Sequence, residues 1–248
     1  MIKLFRNIRK KLVTEGKTAN YLKYAIGEIV LVVIGILIAL QINTWNDNKK
    51  EKREEQLIIK NLNLEFQKNK KELQFFIQHH DSILATTKTI MSLIGASDDV
   101  LKSQNIDSLI YQSIDYWSYN PSQSVVSDLV SSGKLNLISS SDLRQLIFDW
   151  SSKLDEKKEA YSTIDEVTQS ILLIYLTRQG SMKNIDRYSF LKWKKTSNLN
   201  RDNFKLFQDF EFENNMDNQA WNLANYISAL KNLEKVIDDI LAKTNSNP

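Results

Sequence analysis

The sequence predicts an all-α protein in which a single N-terminal transmembrane helix continues into an antiparallel helical bundle. Glycine and proline number only six and two in 248 residues, where an average chain of this length holds roughly seventeen and twelve. Since β-rich folds need turn residues about every ten positions, this scarcity favours long helices. An unbroken apolar run from Ile29 to Leu40 and a heptad-like pattern after it are the other two observations. Cysteine is absent, so disulfides and thiol-based sites are excluded by composition.

The first element, residues 1–21, is predicted to be a basic amphipathic segment on the cytoplasmic side of the membrane. Residues 1–23 carry seven basic side chains and one acidic side chain, whereas the rest of the chain carries 26 basic and 29 acidic ones. The basic charge therefore belongs to this tail and does not indicate a body that binds nucleic acid. The tail's apolar residues share one helical face, and its cations either bind the anionic inner leaflet or only determine the topology. The predicted membrane-surface residues are Lys3, Arg6, Arg9, Lys10 and Lys11.

The second element, residues 22–45, is predicted to cross the membrane as an uncleaved signal anchor. If Glu28 and Gln41 are tolerated, its apolar window is close to the roughly 20 residues that a helical span requires. A buried helix of a soluble protein is one alternative, but such a helix is seldom apolar on all faces. A cleaved signal peptide is another, but the segment is too long and lacks a pair of small residues at the cleavage spacing. Aromatic residues that prefer the membrane interface stand at both ends: Tyr21, Tyr24 and Trp45.

Glu28 lies inside this apolar window, on the same helical face as Val32, Gly35 and Ala39, because steps of four, seven and eleven residues return to within about 40° of one direction. Gly35 and Ala39 have the four-residue spacing that lets two membrane helices approach closely. Because a charge in a span marks a functional site by default, one interpretation is that this face contacts another helix. In the alternative interpretation, Glu28 reaches the interface and hydrogen-bonds Tyr24 one turn away.

The body, residues 46–243, begins with a continuation of the same helix, since no glycine or proline occurs from Ile36 to Ile94. Positions at alternating steps of three and four form a stripe over five heptads. Further apolar residues widen this stripe, which favours a helix packed in a bundle over a free two-stranded stalk. The stripe consists of Ile59, Leu62, Phe66, Asn69, Leu73, Phe76, His80, Ile83, Thr87, Ile90 and Ile94.

Two further long helices complete the predicted bundle. One opens after a cap at Ser140 or Ser141 and stops at Gly180, and the other runs from about Asn214 to Lys243. The first has the stripe Leu143, Ile147, Trp150, Leu154, Lys157, Tyr161, Ile164, Thr168, Ile171 and Tyr175. The second has the stripe Leu223, Tyr226, Leu230, Leu233, Ile237 and Ile240.

The connecting segments are predicted from turn residues and caps. Short helices are expected at about 106–117 and 121–132, with Pro121 in a first turn. If the first long helix rises from the membrane and the second returns, residues 181–212 come back near the bilayer and their "FLKWKK" touches it; a solvated loop is the alternative. Residues 244–248 are predicted to be a disordered tail.

Two sequence blocks carry a resemblance to a known family. The stretch "YAIGEIVLVVIGILIALQINTWN", preceded by "IKLFRNIRKKL" and followed by a charged helix, resembles the N-terminal signature of a family of uncharacterised single-pass membrane proteins found in Bacteroidota. The later "SDLVSSGKLNLISSSDLRQLIFDW" is similar to that family's second recurrent block. The resemblance implies a bacterial inner-membrane protein, and it favours a helix contact at Glu28. The orientation is predicted from the charges instead: the excess of lysine and arginine before the span puts the N-terminus in the cytoplasm and the body in the periplasm. The resemblance implies no activity, because the family's domain has no known function.

Residues that indicate catalysis are scarce. His79 and His80, the only histidines, point about 100° apart on a helix and cannot both bind one metal in the i, i+4 manner. His80 falls in the apolar stripe and is predicted to be a core histidine. No phosphate loop, nucleophile elbow or metal-spaced cluster occurs. The sequence therefore predicts no catalytic residue, no metal site and no cofactor.

Two functions follow from this organisation. In the first, a non-enzymatic bundle binds a partner or ligand outside the cytoplasmic membrane as a scaffold, adaptor or sensor. In the second, the protein is an accessory subunit of a larger membrane complex, which it contacts through Glu28, Val32, Gly35 and Ala39. The expected partners are the lipid bilayer and either another protein or a second copy of the chain. No nucleic acid is expected as a partner.

Overall fold

The computed structural model describes residues 6–7, 18–199 and 201–245, and all regular structure in these residues is helical. This confirms the predicted all-α class. The chain divides into two compact units, Met1–Gln56 and Leu57–Pro248. We call them the N-terminal unit and the body, and each is described by itself.

Three long helices and several short ones make up the described chain. The α-helices are α1 (Thr18–Leu93), α2 (Asp98–Lys102), α3 (Ile106–Ser113), α4 (Ser124–Ser131), α5 (Ser141–Val167), α6 (Leu173–Gln179), α7 (Met182–Ile185) and α8 (Phe210–Asn245). A π turn, Thr168–Leu172, joins α5 to α6. Short 3-10 turns cover Lys134–Leu137, Asp186–Tyr188 and Phe204–Gln208.

Most helix ends follow from local chemistry. After α1, Gly95 takes a left-handed φ of 74°, a conformation that costs glycine little, and its amide donates to the Phe207 carbonyl at 2.8 Å. The Ser140 hydroxyl accepts from the Leu143 amide at 3.2 Å, which confirms the predicted cap of α5. Pro121 is not in a first turn, because α4 begins only at Ser124.

The C-terminal end of α8 extends beyond the predicted limit. Thr244 and Asn245 are helical rather than part of a disordered tail, while residues 246–248 lie outside the described residues. The reason is a tertiary contact: the Asn63 side-chain amide donates to both Thr244 Oγ1 and Asn245 Oδ1 at 2.8 Å. The last turn is therefore held against α1 instead of fraying.

The predicted stripes form the core of the body, with one shift of register. In the α1 stripe every residue is buried except Phe76 and Ile94, which are partly buried. In the second stripe Ile171 is exposed, and Leu172 is buried in its place. The π turn contains both residues and inserts an extra residue into the turn, so the inward face moves one position along the chain.

The three long helices do not alternate in direction. At one end of the body α8 finishes beside the Asn63 region of α1, and Lys243 pairs with Asp142 at the start of α5 at 2.7 Å. At the other end, the π turn meets the first half of α8, where Thr168 Oγ1 donates to Gln219 at 2.7 Å. Hence α8 is antiparallel to both partners, whereas α5 runs in the same direction as α1.

This direction changes the expected position of residues 181–212. They were expected to return with the second long helix towards the start of the body. Instead α5 carries the chain away from Leu57, and the segment meets the far end of α1, where Gln208 Nε2 donates to the Ala96 carbonyl at 2.6 Å. The return towards the Leu57 end is made earlier, by residues 94–140.

A polar layer separates two apolar cores in the body. One core contains Phe66, Trp150 and Leu230, and the other contains Ile90, Leu176 and Phe212. Between them lie three buried polar residues, Thr87 of α1, Thr168 of the π turn and Gln219 of α8.

Candidate functional site

The apolar segment of α1 is the first candidate site. An 18-residue window in this helix has a mean hydropathy of 2.6, and none of that window is buried within the chain. Among the described residues this is the one helix long and apolar enough to cross a membrane. A core helix of a soluble protein is mostly buried, so the absence of buried residues in this window argues against that alternative. At its C-terminal end, the Lys49 ammonium lies 5.1 Å from the centre of the exposed Trp45 ring; the side chain of Tyr21 lies outside the described residues.

The four residues predicted for a helix contact lie on the described part of this helix. Val32, Gly35 and Ala39 are exposed, and Glu28 is partly buried. An added Cβ at Gly35 would meet nothing within 4 Å. Nothing in the described chain therefore occupies the space over Gly35, and a close approach there would involve another molecule.

Of the predicted membrane-surface residues, Arg6 is helical and exposed. Lys3, Arg9, Lys10 and Lys11 lie outside the described residues.

A second candidate is an irregular segment that crosses the body. Residues 114–123, which we call the strap, have no regular secondary structure and run antiparallel to α1. Tyr119, in the middle of the strap, is almost completely buried. Buried backbone without a helix or sheet needs other hydrogen-bond partners, and side chains of the long helices provide them.

Two side chains of α1 hold the C-terminal end of the strap. The Asn69 side chain donates to the Ser122 carbonyl at 2.8 Å and accepts from the Ser122 amide at 3.0 Å. The Glu65 carboxylate accepts from the hydroxyls of Ser122 and Ser124 at 2.7 and 2.8 Å and from the Val125 amide at 3.2 Å. Glu65 thereby caps the N-terminus of α4 from a neighbouring helix, where negative charge is favourable.

The centre of the strap is held from α5 and α8. The Tyr119 amide donates to the Tyr226 hydroxyl at 2.9 Å, and the Lys157 ammonium donates to the Tyr119 carbonyl at 2.7 Å. Burial lowers the pKa of Lys157, with the neighbouring Lys158 adding to the effect. Burial raises the pKa of Tyr226 to about 12, so its hydroxyl keeps its proton. That hydroxyl also donates to the Trp117 carbonyl at 3.4 Å.

Both histidines contact the N-terminal half of the strap. His79 Nε2 donates to the Asp115 carbonyl at 2.7 Å, and the ring stacks on Trp117 at 4.6 Å. His80 is buried, as its place in the stripe predicts. The Trp117 amide donates to His80 Nε2 at 3.4 Å, so the proton of the neutral ring is on Nδ1, which donates to the Phe76 carbonyl at 2.7 Å. Burial lowers the pKa of His80, which is consistent with this neutral tautomer.

These contacts assign structural roles to the polar residues at core positions. Asn69, His80 and Lys157 stand in the predicted stripes, and that placement was the signal that each has a partner. The partner itself, the backbone of the strap, could not be read from the stripes. Glu65 and Tyr226 were not singled out for this role, since a glutamate next to a stripe and a tyrosine within one are common.

The turn "SGKLNLISSSD" between α4 and α5 is explained by structural contacts. Gly133 has a left-handed φ of 73°, Ile138 is buried and Ser140 caps α5.

The described residues hold no group of three or more histidine, cysteine or acidic side chains that could bind a metal ion.

Comparison with known proteins gives one match. Residues 28–157 match the "Family of unknown function (DUF6090)", a region that includes the Glu28 face, the strap and most of α5. No curated protein and no solved structure matches the chain. Since the match covers just over half of the chain, the protein belongs to the DUF6090 family of unknown function.

Proposed function

We propose that this protein is a single-pass inner-membrane protein whose helical body lies in the periplasm and binds a protein partner or ligand without catalysing a reaction. The observation that supports this most is the contrast between the exposed apolar segment of α1 and the closed core of the body. A segment of this length and mean hydropathy is stable in lipid. The excess of basic residues on its N-terminal flank favours a cytoplasmic N-terminus.

The body supports a binding role rather than a chemical one. Its buried histidine, lysine, asparagine and glutamate make hydrogen bonds to the strap. A buried polar network of this kind rigidifies a fold. We therefore assign the function to the outer surface of the body.

The orientation is testable because the native chain contains no cysteine. Asn7 and Ser152 are both exposed, so single Asn7→Cys and Ser152→Cys variants provide one thiol on each side of the apolar segment. In intact spheroplasts, a membrane-impermeant maleimide is expected to label Ser152→Cys, and to label Asn7→Cys only after permeabilisation. The native chain, without a thiol, is the control. The opposite labelling pattern would overturn the orientation, and equal labelling of both variants in intact cells would overturn the span.

A second candidate function, an accessory subunit of a membrane complex, is favoured by the open space over Gly35 on the Glu28 face. The test compares Gly35→Leu with Gly27→Leu. A Cβ added at either position meets nothing within 4 Å, but Gly27 points about 100° away from Glu28. Affinity isolation in mild detergent is expected to lose a stoichiometric partner with Gly35→Leu and with Glu28→Gln, and to keep it with Gly27→Leu.

Replacing the whole span by an unrelated apolar helix separates the two functions. If a partner co-purifies equally well with the span-replaced chain, the body carries the binding and the accessory-subunit function is wrong. If the partner is lost, the span carries the binding and the first proposal fails.

A further inference from the structure

One loop of the body exposes large apolar side chains. Residues 188–199, which we call the tip loop, follow α7 and its 3-10 turn. Phe190 is 89% exposed and Leu199 is 77% exposed, while Leu191 and Trp193 are each nearly half exposed. Single exposed apolar residues are normal on a protein surface, but four within ten residues are a concentrated patch.

The tip loop is also basic. Lys192, Lys194 and Lys195 alternate with the apolar residues, and the sequence contains no acidic residue from Arg187 to Arg201. All three lysines are exposed and, among the described residues, none forms an ion pair. This charge stands out, because acidic residues outnumber basic ones in the chain after residue 23.

The base of the tip loop is built to hold it in place. The buried Asn184 side chain accepts from the Ser197 amide at 2.8 Å, and the Ser189 hydroxyl donates to the Asp186 carbonyl at 2.8 Å. Below it, the nearly inaccessible Asn203 accepts from the Ser181 amide at 2.7 Å. A Cβ at Gly180 would lie 2.7 Å from the Asn203 Oδ1 atom, so a larger residue there would have to displace the Asn203 side chain.

At the apex, Lys192 has a positive φ of 47°. A residue other than glycine seldom adopts this conformation. The exposed side chains are therefore presented by an ordered turn with a hydrogen-bonded base.

The position of the tip loop within the body is away from Leu57. The preceding α5 and α6 run towards the Leu93 end of α1, and the 3-10 turn after the loop meets Gly95. From Leu57 to Leu93 the helix advances roughly 55 Å. A surface that met the tip loop would therefore be separate from the one at the Leu57 end of the body.

We propose that the tip loop docks on the surface of a lipid bilayer that contains anionic headgroups. Phenylalanine, tryptophan and leucine side chains partition into the bilayer interface, and lysines next to them bind anionic headgroups. The apolar residues stand on an exposed turn, which suits insertion into a soft interface better than docking of a folded partner. This inference does not rest on the proposed partner-binding function.

The test uses the full chain held in phosphatidylcholine nanodiscs, so that the apolar segment of α1 is already occupied. Flotation with vesicles of phosphatidylglycerol and phosphatidylcholine (about 3:7) is compared with flotation with phosphatidylcholine vesicles. We expect the native chain to float only with the anionic vesicles. We expect Phe190→Ser with Trp193→Ser, and separately Lys194→Glu with Lys195→Glu, to lower the bound fraction at least about tenfold.

Matched variants control for composition and folding. Trp221→Ser removes an exposed aromatic residue elsewhere, and Lys158→Glu with Lys235→Glu reverses two exposed charges elsewhere. Both are expected to bind like the native chain. The N-terminal basic tail is present in every variant, so it cannot account for a difference between them.

A direct probe of insertion uses the absence of cysteine. Phe190→Cys, labelled with an environment-sensitive nitrobenzoxadiazole dye, is expected to shift its emission to the blue when anionic vesicles are added. Ser152→Cys, labelled in the same way on exposed α5 surface, is expected not to shift. Equal flotation of native and tip-loop variants, or an unchanged Phe190→Cys probe, would overturn the proposal and leave the tip loop as a surface for an acidic protein.

Discussion

The two halves of α1 belong to one helix but bury their apolar residues in different ways. From Ile29 to Leu40 the apolar residues are continuous and all are exposed. From Leu57 to Leu93 they recur at heptad spacing, and one stripe is buried against α5 and α8. The difference teaches that the arrangement of apolar residues along a helix, more than their number, decides whether lipid or protein covers them.

The largest expected effect comes from shortening one buried side chain in the second half of α1. Phe66→Ala removes a fully buried ring that packs edge-to-face on Trp150 at 5.0 Å. It is expected to lower the free energy of unfolding of the body by about 3–5 kcal/mol, measured by denaturant unfolding of the detergent-solubilised chain with tryptophan fluorescence. Leu37→Ala, in the exposed half, is the matched control and is expected to leave the body unchanged. Equal destabilisation by both would contradict the distinction.

The next prediction places the same charge on two similarly exposed residues. Ile34 is 49% exposed and Leu64 is 55% exposed. Ile34→Lys is expected to cost about 3 kcal/mol of membrane insertion, so that a large fraction of the protein is extracted from membranes by alkaline carbonate. Leu64→Lys is expected to remain membrane-bound. If both variants stay in the membrane equally, Ile34 does not lie in lipid.

The strap provides a smaller effect that is specific to the body. Tyr226→Phe removes the hydroxyl that accepts from the buried Tyr119 amide. An unsatisfied buried donor is expected to lower the free energy of unfolding by about 1–3 kcal/mol, measured by the same denaturant titration. Tyr188→Phe, at an exposed tyrosine of the body, should stay within about 0.5 kcal/mol of the native chain. A native-like Tyr226→Phe would mean that the strap does not depend on this hydrogen bond.

The smallest expected effect depends on pH. Burial lowers the pKa of His80 in the folded body below its ordinary value of about 6.5, with the hydrogen bonds to Phe76 and Trp117 acting in the opposite direction. The unfolded chain then binds more protons than the folded chain below about pH 6.5. The stability from neutral His80 is therefore complete above that pH and is lost as the pH falls through the folded pKa.

The measurement for His80 is the thermal midpoint between pH 7.5 and pH 5. His80→Gln keeps a donor and an acceptor but no longer titrates, so we expect a flatter pH profile. His79→Gln is the matched control beside it and should keep the native profile. Identical profiles for native chain and His80→Gln would exclude His80 as the source of the acid sensitivity.

Much of the fold followed from local patterns in the sequence. The stripes of α1, α5 and α8 were predicted because core-facing residues of a helix recur at its own period. The cap at Ser140 was predicted because a cap acts within a few residues of its own position.

Other features depended on distant contacts and were not predicted. The π turn that exposes Ile171 and buries Leu172 belongs to a continuous helical pattern, and no glycine or proline marks it. The strap has no helix or sheet of its own, and its backbone is held in the interior by distant side chains, among them Asn69, Lys157 and Tyr226.

The sequence by itself determined that the chain is helical, where its apolar segment lies and which faces of the long helices are buried, because composition and periodicity are local properties. Only the tertiary structure decided that α5 runs parallel to α1 and that the tip loop therefore lies at the Leu93 end of the body. That direction depends on the path of residues 94–140, which is set by hydrogen bonds between residues more than fifty positions apart, such as Asn69 and Ser122. No local pattern in the sequence encodes such a pairing.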